Sequence, residues 1–239
     1  MVDHIETESQ LHDLTCLYEI TKELASSFVL SDCLEKAMAL LSEYKNMENG
    51  TVTIVNPLTG KLEIEVAHGL TAEGRRRGKY KIGEGITGRV VASGEPIIVP
   101  HISEEPLFLN RTRSRGDIAD RDRSFLCVPI KDGKQIIGAL SVDRMYADGF
   151  GRQANDDLQF LTVLSSIVAQ TVCRVQIVNR EKENLRTENL KLKRELSAAQ
   201  ELFVLPTGVI GVRTHAREPL RHAVDPVSIG QVFGAGSAA

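Results

Sequence analysis

The fold class is decided by residues 51–67, which read TVTIVNPLTGKLEIEVA. The first five residues are all β-branched, which predicts a buried strand, and the proline and glycine that follow supply a turn. In the second half, Leu62, Ile64 and Val66 alternate with charged residues, so they would share one face of a partner strand. A hairpin with one packed face and one wet face predicts an antiparallel sheet.

Upstream of this hairpin, apolar side chains recur at helical spacing from residue 10 to about residue 45, which predicts two helices. Ser31 and Asp32 are residue types that begin helices, and Glu35 follows them as in a capping box, so the second helix should begin there. We expect residues 1–9 to be an N-terminal tail.

Downstream, residues 82–94 hold four glycines among helix-forming residues, which predicts a turn leading into a short helix. Residues 96–100 predict a short strand with a proline at each end, as is typical of a sheet edge. Residues 125–130 and 135–143 predict a second hairpin. The order of helices and hairpins predicts an α+β fold, one antiparallel sheet with flanking helices.

From about residue 153 to residue 202 the chain has no proline or glycine, which predicts one long helix. Seven of ten a and d heptad positions are apolar, which predicts a coiled coil and hence a homodimer. A single helix lying on its own domain is the alternative. The a positions are Val168, Val175, Lys182, Asn189 and Leu196, and the d positions are Thr171, Val178, Leu185, Leu192 and Ala199.

Composition excludes several classes of protein. The 239 residues hold 29 Lys and Arg against 32 Asp and Glu, so there is no overall basic surplus for nucleic-acid binding. The N-terminus is acidic and no apolar stretch approaches 18 residues, which predicts a cytoplasmic protein with no membrane contact. The four cysteines are too far apart for a zinc or cluster motif, so we expect core thiols and no metal.

Four motifs occur in the order found in a known family: KIGEGITGRVVASGEP at 81–96, PLFLNR at 106–111, FLCVPI at 125–130 and IGALSVD at 137–143. Together they resemble a GAF domain. More narrowly, they resemble the N-terminal GAF domain of NifA-type activators, bacterial enhancer-binding proteins that work with sigma-54 RNA polymerase on nitrogen-fixation genes. The resemblance covers roughly residues 11–200.

The resemblance implies a division of the chain. A GAF domain would span residues 10–178, a coiled-coil linker residues 179–203, and a poorly ordered stub residues 204–239. The stub resembles the start of an AAA+ ATPase domain, but its GAGSAA ending lacks the lysine of a phosphate loop. We therefore expect a sensor truncated before its output domains, through which alone RNA polymerase and DNA would be contacted.

The resemblance also implies a small-molecule pocket, roofed by residues 85–91 and the loop through Arg111, with its floor on the strand 125–130. Arg89 or Arg111 would pair with a carboxylate or phosphate, with 2-oxoglutarate or a cyclic nucleotide as candidates, although both arginines could equally be surface charges. No resident cofactor is expected. The candidate ligand-binding residues are Arg89, Arg111, Phe108, Phe125, Cys127 and Asp143.

Glycines 83, 85 and 88 read G-x-G-x-x-G, the dinucleotide fingerprint, but they follow the basic run 75–81 instead of a buried parallel strand. We interpret them as turn formers beside the pocket. The basic run itself is interpreted as a solvated loop, with an anion-binding mouth or a partner patch as alternatives.

The predicted function is a regulatory sensor module and not an enzyme. Ligand or inhibitory-protein binding would be transmitted to an output domain through the long helix of a dimer. The alternatives are a GAF-fold enzyme of the free methionine sulfoxide reductase type, which needs a reactive cysteine pair, a ligand-free dimerisation scaffold, and a phosphodiesterase-like or phytochrome-like GAF domain. The predicted dimer residues are Val168, Val175, Val178, Leu185, Asn189, Leu192 and Leu196.

Overall fold

The computed structural model describes residues 2–112, 123–146 and 151–201, with side chains from residue 7 to residue 198. The chain divides into two compact units, and the second unit begins at Asn184, inside the last helix. The predicted stub, residues 204–239, lies outside the described residues.

The elements follow the predicted order of helices and hairpins. The helices are α1 (Val2–Ser26), α2 (Leu30–Lys45), α3 (Ala72–Arg77), α4 (Gly85–Ser93) and α5 (Arg152–Glu201). The strands are β1 (Glu48–Val55), β2 (Leu62–Ala67), β3 (Lys79–Tyr80), β4 (Ile97–Val99), β5 (Ser124–Asp132) and β6 (Gln135–Arg144). A 3-10 turn, Ile102–Glu104, follows β4.

Two helix starts differ from the prediction. Residues 2–9, predicted to be a tail, are the first turns of α1, because no proline or glycine interrupts the helix there. The N-cap of α2 is Val29, whose side chain makes no capping hydrogen bond, so the prediction of a cap at Ser31 and Asp32 is wrong.

The strands form one six-stranded sheet in the order β3-β2-β1-β6-β5-β4. Every pairing is antiparallel, which confirms the predicted α+β architecture. The two predicted hairpins, β1–β2 and β5–β6, meet where β1 pairs with β6, and the proline-clipped strand β4 lies at the sheet edge as predicted.

Both faces of the sheet are covered, so the prediction of a wet face is wrong for the central strands. Every residue from Ser124 to Ile130 in β5 is buried. Helices α1, α2 and α5 contribute to the core on one side, together with Val52, Leu126, Val128 and Leu140. Helix α4 contributes to a second core on the other side, with Phe125 and Cys127. We call these the helix side and the pocket side.

A β-bulge in β2 reverses the predicted alternation. Val52 pairs with Val66 and Thr53 pairs with Ile64, so Glu65 is an extra residue opposite β1. Val66 therefore packs in the helix-side core, whereas Leu62 packs in the pocket-side core. The prediction that Leu62, Ile64 and Val66 share one face is wrong, because the side chains beyond a bulge point to the opposite face of the sheet.

The first part of α5 is a core helix. One stretch of it is long and apolar enough to cross a membrane by length and composition, contrary to our expectation, but 44% of that stretch is buried. Leu161, Leu164 and Val168 are wholly buried in the helix-side core. Val175 is only 2% exposed, so Val168 and Val175 are not available for the predicted dimer contact.

A buried ionic network connects the start of α5 to three other parts of the domain. The Asp157 carboxylate lies 3.3 Å from Lys45 Nζ of α2 and 2.8 Å from Arg144 Nε of β6. It also accepts a 3.1 Å hydrogen bond from the Tyr146 hydroxyl, and Lys45 pairs at 2.6 Å with Asp13 of α1. The network thus fixes α5 to the end of β6, the strand that contributes to the site described next.

Candidate functional site

A small cavity lies on the pocket side of the sheet, beneath α4 and residues 108–112. Its volume is about 30 Å³, which is enough for water and far below the roughly 300–1,000 Å³ of ordinary small-molecule sites. The described side chains that line it are all uncharged. The cavity is therefore closed against larger ligands in this conformation.

Hydroxyl groups form the floor of the cavity. Thr51 and Thr53 lie on β1, Ser141 lies opposite Thr51 on β6, and Thr87 lies on α4. The Thr51 and Ser141 hydroxyl oxygens are 2.6 Å apart and share a hydrogen bond. The sequence interpretation missed these residues; their signal was the presence of hydroxyl side chains in otherwise apolar strands.

The glycine run shapes the roof. Gly83 and Gly85 adopt φ values of +86° and +62°, which favour glycine, and Gly83 N donates to Gly88 O at 2.8 Å. A Cβ at Gly88 would lie 2.5 Å from Lys81 O. The run follows the two-residue antiparallel strand β3, so the prediction that these glycines are turn formers is supported by their geometry.

Arg111 holds residues 108–112, which we call the roof segment, against residues 79–84. Its guanidinium donates to Lys79 O and to the Glu84 carboxylate, and it lies 5.3 Å from the centre of the Tyr80 ring. The Lys81 backbone N–H, and then Arg111, hold the pKa of Glu84 below its usual value. Arg111 thus already has a carboxylate partner, and it lies beside the cavity and not among its lining residues.

The structure brings together only part of the predicted ligand set. Phe108 and Phe125 both line the cavity, with ring centres 5.1 Å apart in an edge-to-face arrangement. Cys127 is buried in the same core without lining the cavity. Asp143 is wholly buried and accepts a 2.8 Å hydrogen bond from Asn49, and Arg89 is exposed on α4; neither lines the cavity.

The basic run 75–81 is largely exposed to solvent, as interpreted, but its first part is a helix and not a loop. Residues 72–77 form α3, whose N-cap Thr71 accepts a hydrogen bond from Gly74 N. Arg75 donates to the carbonyls of Ile64 and Glu65, at the bulge of β2. Arg77 donates to Thr112 O at 3.1 Å and pairs with Glu73 at 2.6 Å, so the run holds the roof segment in place.

Three of the four cysteines, Cys16, Cys33 and Cys127, are protonated core residues. Burial raises the pKa of Cys127 to about 12 and that of Cys16 to about 11, and it also raises the pKa of Cys33. Cys127 lies on the pocket side of the sheet, whereas Cys16 and Cys33 lie on the helix side. In the described part of the chain, no group of three His, Cys, Asp or Glu residues could hold a metal.

Thiol reactivity follows from these positions. We expect Cys16 and Cys127 to react with iodoacetamide at pH 8 at least about a hundredfold more slowly in the folded protein than in urea, because each pKa unit removes about nine-tenths of the thiolate. Cys173, which is partly exposed, should react first. Alkylation followed by peptide mass spectrometry measures the rates, and rapid modification of folded Cys127 would instead support the reductase alternative.

Several known proteins are similar to this chain in sequence. Residues 29–172 match the GAF domain family. The Nif-specific regulatory protein of Azospirillum brasilense is 34% identical over 77% of this chain and 29% of its own length. Nitrogen fixation protein VnfA of Azotobacter vinelandii is 36% identical over 83% of this chain and 37% of its own length. The chain thus spans about a third of the length of these relatives.

Solved structures show the same fold at low identity. A GAF domain of A. aeolicus in an inactive state superimposes with a TM-score of 0.57 at 22% identity, covering 68% of this chain and 96% of that domain. Free methionine-R-sulfoxide reductase from Neisseria meningitidis gives 0.56 at 19% identity, covering 68% of this chain and 89% of the enzyme. An enzyme is thus among the proteins that have this fold, so function must be argued from the site and not from the fold.

Proposed function

The chain belongs to the GAF domain family, and on this premise we propose that it is the sensor module of a nitrogen-fixation activator that works with sigma-54 RNA polymerase. Its similarity to the corresponding region of Nif regulatory proteins supports a regulatory role. The observation that carries the sensing role is the closed, hydroxyl-floored cavity beneath a fastened roof. The module would act in the cytoplasm, and contact with DNA and polymerase would belong to other domains.

Sensing would couple ligand entry to movement of the roof. A ligand larger than water must displace residues 108–112, and so must loosen the contact between Arg111 and Glu84. A ligand shifts the balance between closed and open conformers only by its different affinity for the two. An inhibitory regulatory protein that recognises the roof in one state would act on the same equilibrium.

Ligand-dependent melting tests this role. A ligand present at about 100 times its dissociation constant should add about 2.7 kcal/mol to the free energy of unfolding. We expect this gain with 2-oxoglutarate or a cyclic nucleotide, and a smaller gain in Thr53→Val, which removes a floor hydroxyl. Thr59→Val, in the exposed β1–β2 turn, is the control. Failure of every candidate ligand to raise the melting temperature would favour the scaffold alternative.

The output would travel through a dimer of α5. In the heptad frame, Leu185 and Leu192 occupy d positions, and both are more than half exposed in the second unit. The acidic residue Glu188 is at position g and Lys193 is at position e of the next heptad. These two meet across a parallel pair of helices, whereas an antiparallel pair would bring like charges together, so the pattern supports a parallel dimer.

The dimer can be tested with two leucines of equal exposure. Leu185→Asp should weaken self-association at least about tenfold, because it places a charge in the seam. Leu190→Asp should have little effect, because Leu190 lies off the seam at position b although it is 57% exposed, against 59% for Leu185. Sedimentation equilibrium measures both. Equal effects of the two substitutions would contradict the proposed register.

The similarity to Nif-specific regulatory proteins supports a non-catalytic role. The reductase alternative needs a nucleophilic thiol beside the cavity. The nearest cysteine on the pocket side is Cys127, whose pKa burial raises to about 12, and a thiol in that state is a poor nucleophile.

A further inference from the structure

A second concavity lies beside the cavity roof, and the proposed function does not use it. This groove is shallow and open to solvent, with a volume of about 620 Å³. Four of its lining residues are cations. The lining comprises Arg76, Arg77, Lys79, Leu109, Asn110 and Arg111.

The cations of the groove differ in their partners: Arg111 is held by Glu84, whereas the carboxylate partners of Lys79 and Arg77 are exposed to solvent. Lys79 lies 3.8 Å from Glu63, with side chains 61% and 39% exposed. Arg77 pairs with Glu73, whose side chain is 68% exposed. Such exposed pairs contribute about 0–1 kcal/mol, so a ligand can replace the carboxylates at little cost. Arg76 is exposed and forms no ion pair with another described residue.

Arg77, which lines the groove, also has an unsatisfied hydrogen-bond donor below the surface. Arg77 Nε is buried and has no acceptor among the described residues. A buried donor without an acceptor is costly, and an anion or water that reaches it removes that cost. The groove therefore offers more donors than its own carboxylates satisfy.

We propose that this groove binds a small anion with several carboxylate or phosphate oxygens. Arg76 and Lys79 make the main contacts, and Arg77 adds a further positive charge. Because Leu109 lines both the groove and the cavity, the bound anion also contacts the roof segment. The site is separate from the uncharged cavity and goes beyond the sensing role proposed above.

The flanking charges favour a small anion over a macromolecule. Glu63, Glu73 and Glu84 border the cations through their ion pairs. An extended acidic surface or a nucleic acid would have to lie across these carboxylates and would be repelled by them. A compact anion can enter between them and accept bidentate hydrogen bonds from an arginine.

Titration calorimetry of the full chain at low salt tests the site, with succinate as the dicarboxylate probe and inorganic pyrophosphate as the phosphate probe. We expect saturable binding of at least one probe, weakened about tenfold in Arg76→Ala and in Lys79→Ala. Arg152→Ala, which removes an exposed arginine of α5 outside the groove, should bind as the unmodified protein does.

Three results would overturn the proposal. The first is no saturable binding of either probe. The second is an equal loss in Arg152→Ala, which would indicate diffuse attraction. The third is a loss in Thr53→Val with none in Arg76→Ala, which would assign the probe to the cavity. Because Arg76 is exposed, its removal should leave the melting temperature unchanged, which separates lost binding from misfolding.

Discussion

Asp157→Ala is expected to lower the free energy of unfolding by about 3–5 kcal/mol, the largest effect of any single substitution proposed for this chain. The carboxylate is 2% exposed and faces Lys45 and Arg144, whose side chains are 11% and 10% exposed. Its removal leaves Arg144 buried without a counter-charge and leaves Lys45 with Asp13 alone. The ion pair that connects α5 to β6 is lost together with the carboxylate.

The neighbouring acid provides the control. Asp156 is 60% exposed and lies 4.0 Å from Arg152, so Asp156→Ala should change stability by less than about 1 kcal/mol. Burial raises the pKa of Asp157, whereas Arg144 and Lys45 lower it. An uncharged side chain that still forms hydrogen bonds should therefore be tolerated better than a side chain that forms none. Asp157→Asn should therefore cost less than Asp157→Ala. Urea unfolding measures all three, and equal losses at 156 and 157 would show that the network is not stabilising.

Gly138→Ala should destabilise the fold by about 3 kcal/mol. Gly138 lies in the IGALSVD motif and pairs with Ile54 of β1 and Ile130 of β5. A Cβ there would lie 2.2 Å from the Thr53 carbonyl oxygen, which is backbone and cannot move without disturbing the β1–β6 pairing. Because Thr53 belongs to the cavity floor, ligand-dependent melting should fall as well.

A second glycine of the same hairpin separates steric conflict from general sensitivity. Gly133, in the β5–β6 turn, has φ +58°, and a Cβ added there would meet nothing within 4 Å. Asparagine tolerates this conformation, so Gly133→Asn should change the unfolding free energy by less than about 1 kcal/mol. A urea midpoint for Gly138→Ala that matches that of Gly133→Asn would refute the steric explanation.

Local chemistry explains what could be predicted about the fold. Turn residues at 57–60 and 131–134 closed the two hairpins, and prolines 96 and 100 placed β4 at an edge. The errors arose where a distant element changed a local pattern. The bulge at Glu65 is set by pairing with β1 and by Arg75, which lies ten residues further along the chain, and no alternation within 61–67 reveals it.

The sequence predicted a pocket in this part of the fold, but it did not predict the hydroxyl side chains that line the cavity. Phe108 and Phe125, two members of the predicted ligand set, line the cavity. The resemblance also favoured arginines as ligand contacts, because charge is conspicuous in a sequence. Arg111 has an internal carboxylate partner, and Thr51, Thr53 and Ser141 became a hydroxyl floor only when β1 paired with β6.

The sequence by itself determined the long helices, the two antiparallel hairpins and the family, because turns, periodicity and motifs are encoded over a few neighbouring residues. It did not show α3 or β3. Tertiary structure alone decided that both sheet faces are covered, that Val168 and Val175 belong to the domain core, and that the cations line a surface groove and not the cavity. Burial and ion pairing depend on residues far apart in the chain, and only the packed fold brings those residues into contact.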